Sequence, residues 1–296
     1  MPLPDPARSS VAATGGVHLS VIVREPDPGV AAQPVPFLLV HGLASNARLW
    51  DGVAVRLASR GFRSVAVDQR GHGRSDKPDD GYDFPTVAAD LVAVIDALGL
   101  DRPVVAGQSW GGNVVLELGA RHASRVRGVV AVDGGTIELS REFPTWEACA
   151  ERLAPPPLVG MPLTRIEGYI RGAHPDWPEA GIQGTLANFD VRADGTIAPW
   201  LTRERHMTIL RQLWGHHPTQ LYPDVPVPVL LTPAEGPGDP PGRAEGRRRS
   251  IDTAVAGLPC ARVRWFSPAD HDIHAQHPDE LADVMIDAVR DGFFPA

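Results

Sequence analysis

The sequence predicts an α/β protein: a doubly wound, mostly parallel sheet with helices on both faces and one helical insertion. Three observations carry this reading. Short, continuously apolar runs such as Val129-Val130-Ala131-Val132 alternate with segments of helical period, and strands apolar on both faces belong to a parallel sheet covered by helices. The alternation breaks once, over residues 135–218, where no clear strand is visible. The length, 296 residues, suits one large α/β unit with an inserted subdomain.

The elements follow in order. Residues 1–8 read as a disordered tail. Ser10–Ala13 and Val17–Arg24 pair as a hairpin across Gly15-Gly16. Pro26 to Pro34 is a Pro/Gly/Ala loop, Pro36–Val40 a buried strand, Leu49–Ser59 a helix and Arg63–Val67 a second apolar strand. Val87, Leu91, Val94, Ile95 and Leu98 share one helical face. Pro103–Ala106 is a strand, followed by a helix to about His122, and Val126–Val132 is the next strand. Residues 135–218 carry Trp146, Trp177, Trp200 and Trp214 and read as a mostly helical cap that shapes an apolar pocket. Residues 9–134 and 219–296 form the core. In it, Val227–Leu231 resumes the sheet, Arg262–Phe266 is the last strand and Asp279–Val289 the last helix. The polar, glycine-rich stretch from Glu235 to Arg249 reads as an exposed mobile loop.

Composition excludes several function classes. The net charge is −8, from 36 acidic and 28 basic residues, so there is no basic stripe for nucleic acid. Two cysteines, Cys149 and Cys260, make a disulfide framework improbable and point to a reducing, cytoplasmic setting. No secretory signal and no apolar run of membrane-spanning length is visible. The expected partner is therefore a small molecule, without nucleic acid or membrane.

The chemistry gathers at strand ends. Gly107-Gln108-Ser109-Trp110-Gly111 stands between a strand and a helix. A serine at that corner, flanked by glycines, is a nucleophile elbow. Its hydroxyl stands at a helix N-terminus, where unpaired N–H groups suit a developing oxyanion. His41-Gly42-Leu43 follows the strand ending at Val40. There the N–H of Leu43 joins that of Trp110 as an oxyanion hole. Serine needs a base, and His271, after the last strand, is the candidate. Read as metal ligands, His271, His274 and His277 lack the carboxylate or cysteine set of a familiar zinc signature. No metal and no cofactor is expected. The glycines of Asp68-Gln69-Arg70-Gly71-His72-Gly73-Arg74-Ser75 lack the Gly-Lys-Ser/Thr of a phosphate loop and read as a structural turn.

The base needs a carboxylate to hold its tautomer. Three are available. Asp133 directly ends the strand Val129–Val132, whereas Asp239 and Glu235 lie in the flexible stretch after Leu231. A positioning carboxylate belongs on a rigid element, which favours Asp133.

Together these motifs resemble the α/β-hydrolase superfamily from about Val17 to Phe294. The resemblance implies an eight-stranded sheet, a helical cap after the sixth strand and the order Ser109, acid, His271. Most members carry the acid after the seventh strand in a Gly-x-x-Asp turn. Here Pro233-Ala234-Glu235-Gly236-Pro237 has no aspartate in register. Some dehalogenases and lactonases of the superfamily place the acid after the sixth strand, where Asp133 aligns. Dehalogenases and epoxide hydrolases use an aspartate nucleophile, so Ser109 argues against both activities. The expectation is a cofactor-independent serine hydrolase acting on a carboxylic ester or lactone. The alternatives are C–C bond or thioester hydrolysis by the same triad, and a ligand receptor without turnover.

Overall fold

The structure, a computed structural model, describes residues 7–236 and 241–295. β1 (Arg8–Ala12) and β2 (His18–Arg24) form the expected antiparallel hairpin, with Gly15 and Gly16 at positive φ in its turn. Arg8 belongs to β1 and bonds Ser20 and Asp68, which corrects the reading of a tail reaching residue 8. Residues 1–6 lie outside the described residues. β3 (Phe37–Val40) runs through a short 3-10 turn into α1 (Asp51–Ser59), then β4 (Ser64–Val67) and α2 (Phe84–Ala97). The Asp83 side chain caps α2 by accepting from Thr86 N–H, and Pro85 sits in its first turn. β5 (Val104–Gln108), α3 (Trp110–Arg121) and β6 (Gly128–Val132) follow.

The next segment holds α4 (Leu139–Glu142), α5 (Trp146–Leu153), α6 (Leu163–Ala173) and α7 (Glu179–Leu186). A small hairpin comes next, β7 (Phe189–Val191) with β8 (Ile197–Pro199), then α8 (Arg203–Trp214) and α9 (Pro218–Leu221). The hairpin corrects the reading of a segment without strands. Its three-residue strands are too short for an alternating pattern, and Asp194-Gly195-Thr196 makes its turn through the Asp194 side chain.

β9 (Val229–Thr232) resumes the sheet, and α10 (Pro241–Gly257) leads to β10 (Ala261–Val263), α11 (Ile273–Gln276) and α12 (Pro278–Arg290). The helix α10 overturns the reading of a mobile loop up to Arg249. Ile251, Ala254 and Leu258 are buried against the core, an i, i+3, i+7 stripe that anchors the arginine-rich turns before it. The last strand ends at Val263 rather than Phe266, which keeps only a single bridge to Ala234.

The main sheet has eight strands in the order β1-β2-β4-β3-β5-β6-β9-β10. β2 runs antiparallel to β4, and every pairing from β4 to β10 is parallel. Alternate residues of β3 face opposite layers. Leu38 and Val40 join the core with α2 and α3, while Phe37 and Leu39 join the core with α1 and α12. Burial on both faces explains why the strands are apolar throughout. Among the described residues no helix is long and apolar enough to cross a membrane.

Candidate active site

Register brings the site together. Val40 pairs with Gly107, and Gln108 with Val132, so the chain leaves β3, β5 and β6 side by side at their C-terminal ends. Ligands bind at this edge in open parallel sheets. Ser109 turns the corner between β5 and α3 at φ 54°, ψ −121°, a conformation costly for a residue with a side chain. Its N–H donates to Val132 O at 3.0 Å. The flanking glycines are needed for closeness. A Cβ on Gly107 would stand 2.1 Å from Gly111 O, and one on Gly111 would stand 2.4 Å from His41 O. Ala44, Ser109 and Asp133 are three of the four non-glycine residues at positive φ among the described residues. Backbone strain is thus concentrated around this edge.

Asp133 leaves β6 with its N–H bonded to Thr232 O at 3.0 Å. Its Oδ1 accepts from Ala234 N–H at 3.0 Å, and its Oδ2 meets His271 Nδ1 at 2.5 Å. The side chain of Asp133 is 10% exposed and that of His271 52%. Desolvation disfavours the His271 cation, but the hydrogen bond and charge of Asp133 outweigh it and lift the imidazole pKa above its ordinary value. Of the other two acids weighed, Glu235 pairs with Arg248, and Asp239 lies outside the described residues. Ser109 and His271 line one cavity. Among the described residues they are not hydrogen-bonded to each other, and such contacts commonly tighten only with substrate present.

The N–H groups of Leu43 and Trp110 donate to no protein acceptor among the described residues. The loop that carries Leu43 is held by two buried histidines that sequence reasoning left without a role. His41 Nε2 accepts from Gln69 N–H at 3.0 Å, so its Nδ1 carries the proton and donates to Gly42 O at 2.7 Å. Burial lowers the His41 pKa to about 4, which keeps the ring neutral. Because the peptide is trans and planar, pointing Gly42 O at the His41 ring turns Leu43 N–H the opposite way. His72 Nε2 accepts from Ala44 N–H at 3.3 Å and its ring stacks on Trp110. The Asp68–Ser75 segment is therefore a structural brace, as its lack of a phosphate-loop signature implies. Asp68 Oδ1 accepts from Ala47 N–H, and Arg70 makes two bonds to buried Asp90.

Gln108, inside the elbow but assigned nothing from sequence, donates from Nε2 to His271 O at 3.2 Å. It ties the serine corner to the histidine loop. His274 is fully buried against Trp50, with burial lowering its pKa to about 3. Among the described residues no group of three or more His, Cys, Asp or Glu is placed to hold a metal ion.

The cavity measures about 180 Å³. Leu43, Leu49 and Trp177 contribute apolar surface, but Ser45, Thr185, Asn188, His174 and Asp272 line it too. This corrects the expectation of an apolar pocket framed by tryptophans. Of the four, only Trp177 lines it; Trp146 packs near Trp214, and Trp200 receives Arg74 and Lys77. Indole rings serve packing as readily as binding, and sequence does not reveal which way they turn.

The pattern of the alpha/beta hydrolase fold family matches residues 35–172. The span contains β3, the elbow and Asp133. The chain has the α/β-hydrolase fold and resembles that superfamily over this span. It is similar to the 2-(acetamidomethylene)succinate hydrolase of Mesorhizobium japonicum, 29% identical over 248 residues, covering 82% of this chain and 83% of that protein. Among solved structures it resembles E-2-(acetamidomethylene)succinate hydrolase, with a TM-score of 0.74 at 24% identity, covering 96% and 99% of the two chains. It also resembles an esterase from Exiguobacterium antarcticum, with a TM-score of 0.68 at 19% identity, covering 96% and 100%. The two structures share the fold of this chain. The family match supports a hydrolase.

Proposed function

We propose that this protein is a serine hydrolase that cleaves a carboxylic ester or lactone through an acyl-enzyme. The observation that carries the reading is the His271 Nδ1 to Asp133 Oδ2 pair at 2.5 Å, formed beside a serine in elbow geometry. In this reading Asp133 keeps the proton on Nδ1, so Nε2 is free to act as base. Ser109 Oγ attacks the carbonyl as His271 takes its proton, and His271 returns that proton to the leaving alcohol. The N–H groups of Leu43 and Trp110 bind the tetrahedral oxyanion, each lowering the barrier by about 3 kcal/mol. Water, activated by His271, then releases the acid. Residues 135–218 act as a cap that bounds the site, contributing His174, Trp177, Thr185 and Asn188 to its wall. The small cavity favours short substrates, since drug-sized ligands need roughly 300 Å³ or more.

The test is turnover of p-nitrophenyl acetate and butyrate by the purified chain and by Ser109→Ala. Burst hydrolysis that the variant lacks, together with labelling of Ser109 by a fluorophosphonate, is expected. Equal turnover by the variant, or labelling elsewhere, overturns the assignment.

A further inference from the structure

The cavity beside Ser109 contains a carboxylate that the acyl-transfer steps do not use. Asp272 follows His271 and lines the cavity with Ser109, His174, Trp177 and Asn188. It stands at the N-cap of α11, where an aspartate normally accepts from the helix N–H groups through its side chain. Here the side chain makes no capping bond, and the backbone carbonyl of Asp272 accepts from Ala275 and Gln276 instead. A helix cap therefore does not explain it.

Nor does an ion pair. Asp272 forms none with Arg or Lys among the described residues, and no Arg or Lys belongs to the cavity wall. Desolvation pushes its carboxyl above the ordinary value, while the nearby His271 and His174 pull it back down. A carboxylate that faces a partly closed site without a protein hydrogen-bonding partner is available to pair with a bound cation. A second carboxylate, Asp270, stands behind the same wall, accepting from Trp177 Nε1 at 3.2 Å and lying 3.5 Å from His174 Nδ1. The wall thus sets the Trp177 indole beside a carboxylate without a protein partner, a combination that suits ammonium groups.

We propose that Asp272 is a specificity determinant that selects short esters or lactones bearing a protonated amine and disfavours those bearing a carboxylate. This rests on the serine-hydrolase reading above. An ammonium two carbons from the scissile carbonyl would face the Asp272 wall, whereas an anion there meets like charge.

Three p-nitrophenyl esters of matched length test it: those of β-alanine, butyric acid and succinic acid, cationic, neutral and anionic at neutral pH. The kcat/KM values are compared directly, after subtraction of each ester's spontaneous hydrolysis, and ester by ester between the wild type and Asp272→Asn. The expected order is β-alanine, butyrate, succinate. Asp272→Asn is expected to lower the β-alanine to butyrate ratio about tenfold, the scale of one charged hydrogen bond. A wild-type preference for the succinate ester overturns the proposal. So does an Asp272→Asn variant that slows all three esters by one factor, because Asp272 would then act through His271. Absence of all ester turnover counts against the hydrolase reading alone. In that event, saturation-transfer NMR on Ser109→Ala, with the methyl esters of the same three acids, reads the charge preference without turnover. Equal binding of the three there overturns the proposal, and a preference for the β-alanine ester that Asp272→Asn removes supports it.

Discussion

At the residue scale the decisive contact is between two side chains 138 positions apart, Asp133 and His271. Replacing Asp133 by Asn is expected to lower kcat about 10³- to 10⁴-fold, because the amide no longer enforces the productive tautomer. The pH profile offers a second readout. Asp133 holds the His271 pKa above its ordinary value, and only the neutral ring serves as base. The acid limb of kcat/KM in the wild type therefore lies above the pH expected of a free imidazole. In Asp133→Asn it moves to lower pH while the plateau falls. A limb that stays in place counts against the pair. The same shift has a stability consequence. A histidine whose folded pKa is raised stabilises the fold below its unfolded pKa, and the contribution is lost as pH rises through the folded value. Ser109 and His271 were legible as residues, since one sits in a glycine-bounded turn and the other follows the last strand. Asp133 was legible as the end of a rigid strand. Gln108, His174 and Asp272 carried no signal of their own. A glutamine in an elbow or an aspartate before a short helix has an ordinary local explanation until its side-chain direction is known.

At the element scale the elbow was readable because its two glycines are sterically required, as the 2.1 Å and 2.4 Å approaches show. The brace from β4 to α2 was read only as a turn, yet Arg70 and Asp90 form a buried two-bond pair within it. Removing one partner strands the other charge. Arg70→Ala is expected to destabilise the protein by about 3–5 kcal/mol in urea unfolding, and a loss below 1 kcal/mol would refute a structural role for the pair. Helix α10 was missed for a physical reason. Gly242 and Gly246 lower helix propensity, and the arginine run gives no apolar stripe. The anchoring residues come only in its C-terminal half, Ile251 and Ala254, and just past its end, Leu258. The hairpin β7–β8 was missed because three-residue strands carry too little pattern.

For the whole molecule, three buried histidines and the half-buried His206 set its response to acid. His41 and His206 have pKa values lowered to about 4 and His274 to about 3, in each case chiefly by desolvation, and His72 lies well below its ordinary value for the same reason. The unfolded chain takes up these protons near pH 6.5, whereas the native state resists them to about pH 4. Stability is thus expected to fall steadily between pH 6.5 and 4, read as a drop in Tm by calorimetry. A Tm constant across that window would show that these rings are solvated or paired. The alternation of apolar strands and amphipathic helices by itself determined the doubly wound sheet, because burying both strand faces leaves few alternatives. It also determined which residue types end the strands at one edge. Only the tertiary structure decided that His271 reaches Asp133, that Trp177 alone of those four tryptophans enters the cavity, and that Asp272 lines the cavity rather than capping its own helix. Those outcomes depend on the paths of loops across the sheet edge, and side chains meeting from distant loops leave no periodicity in the chain.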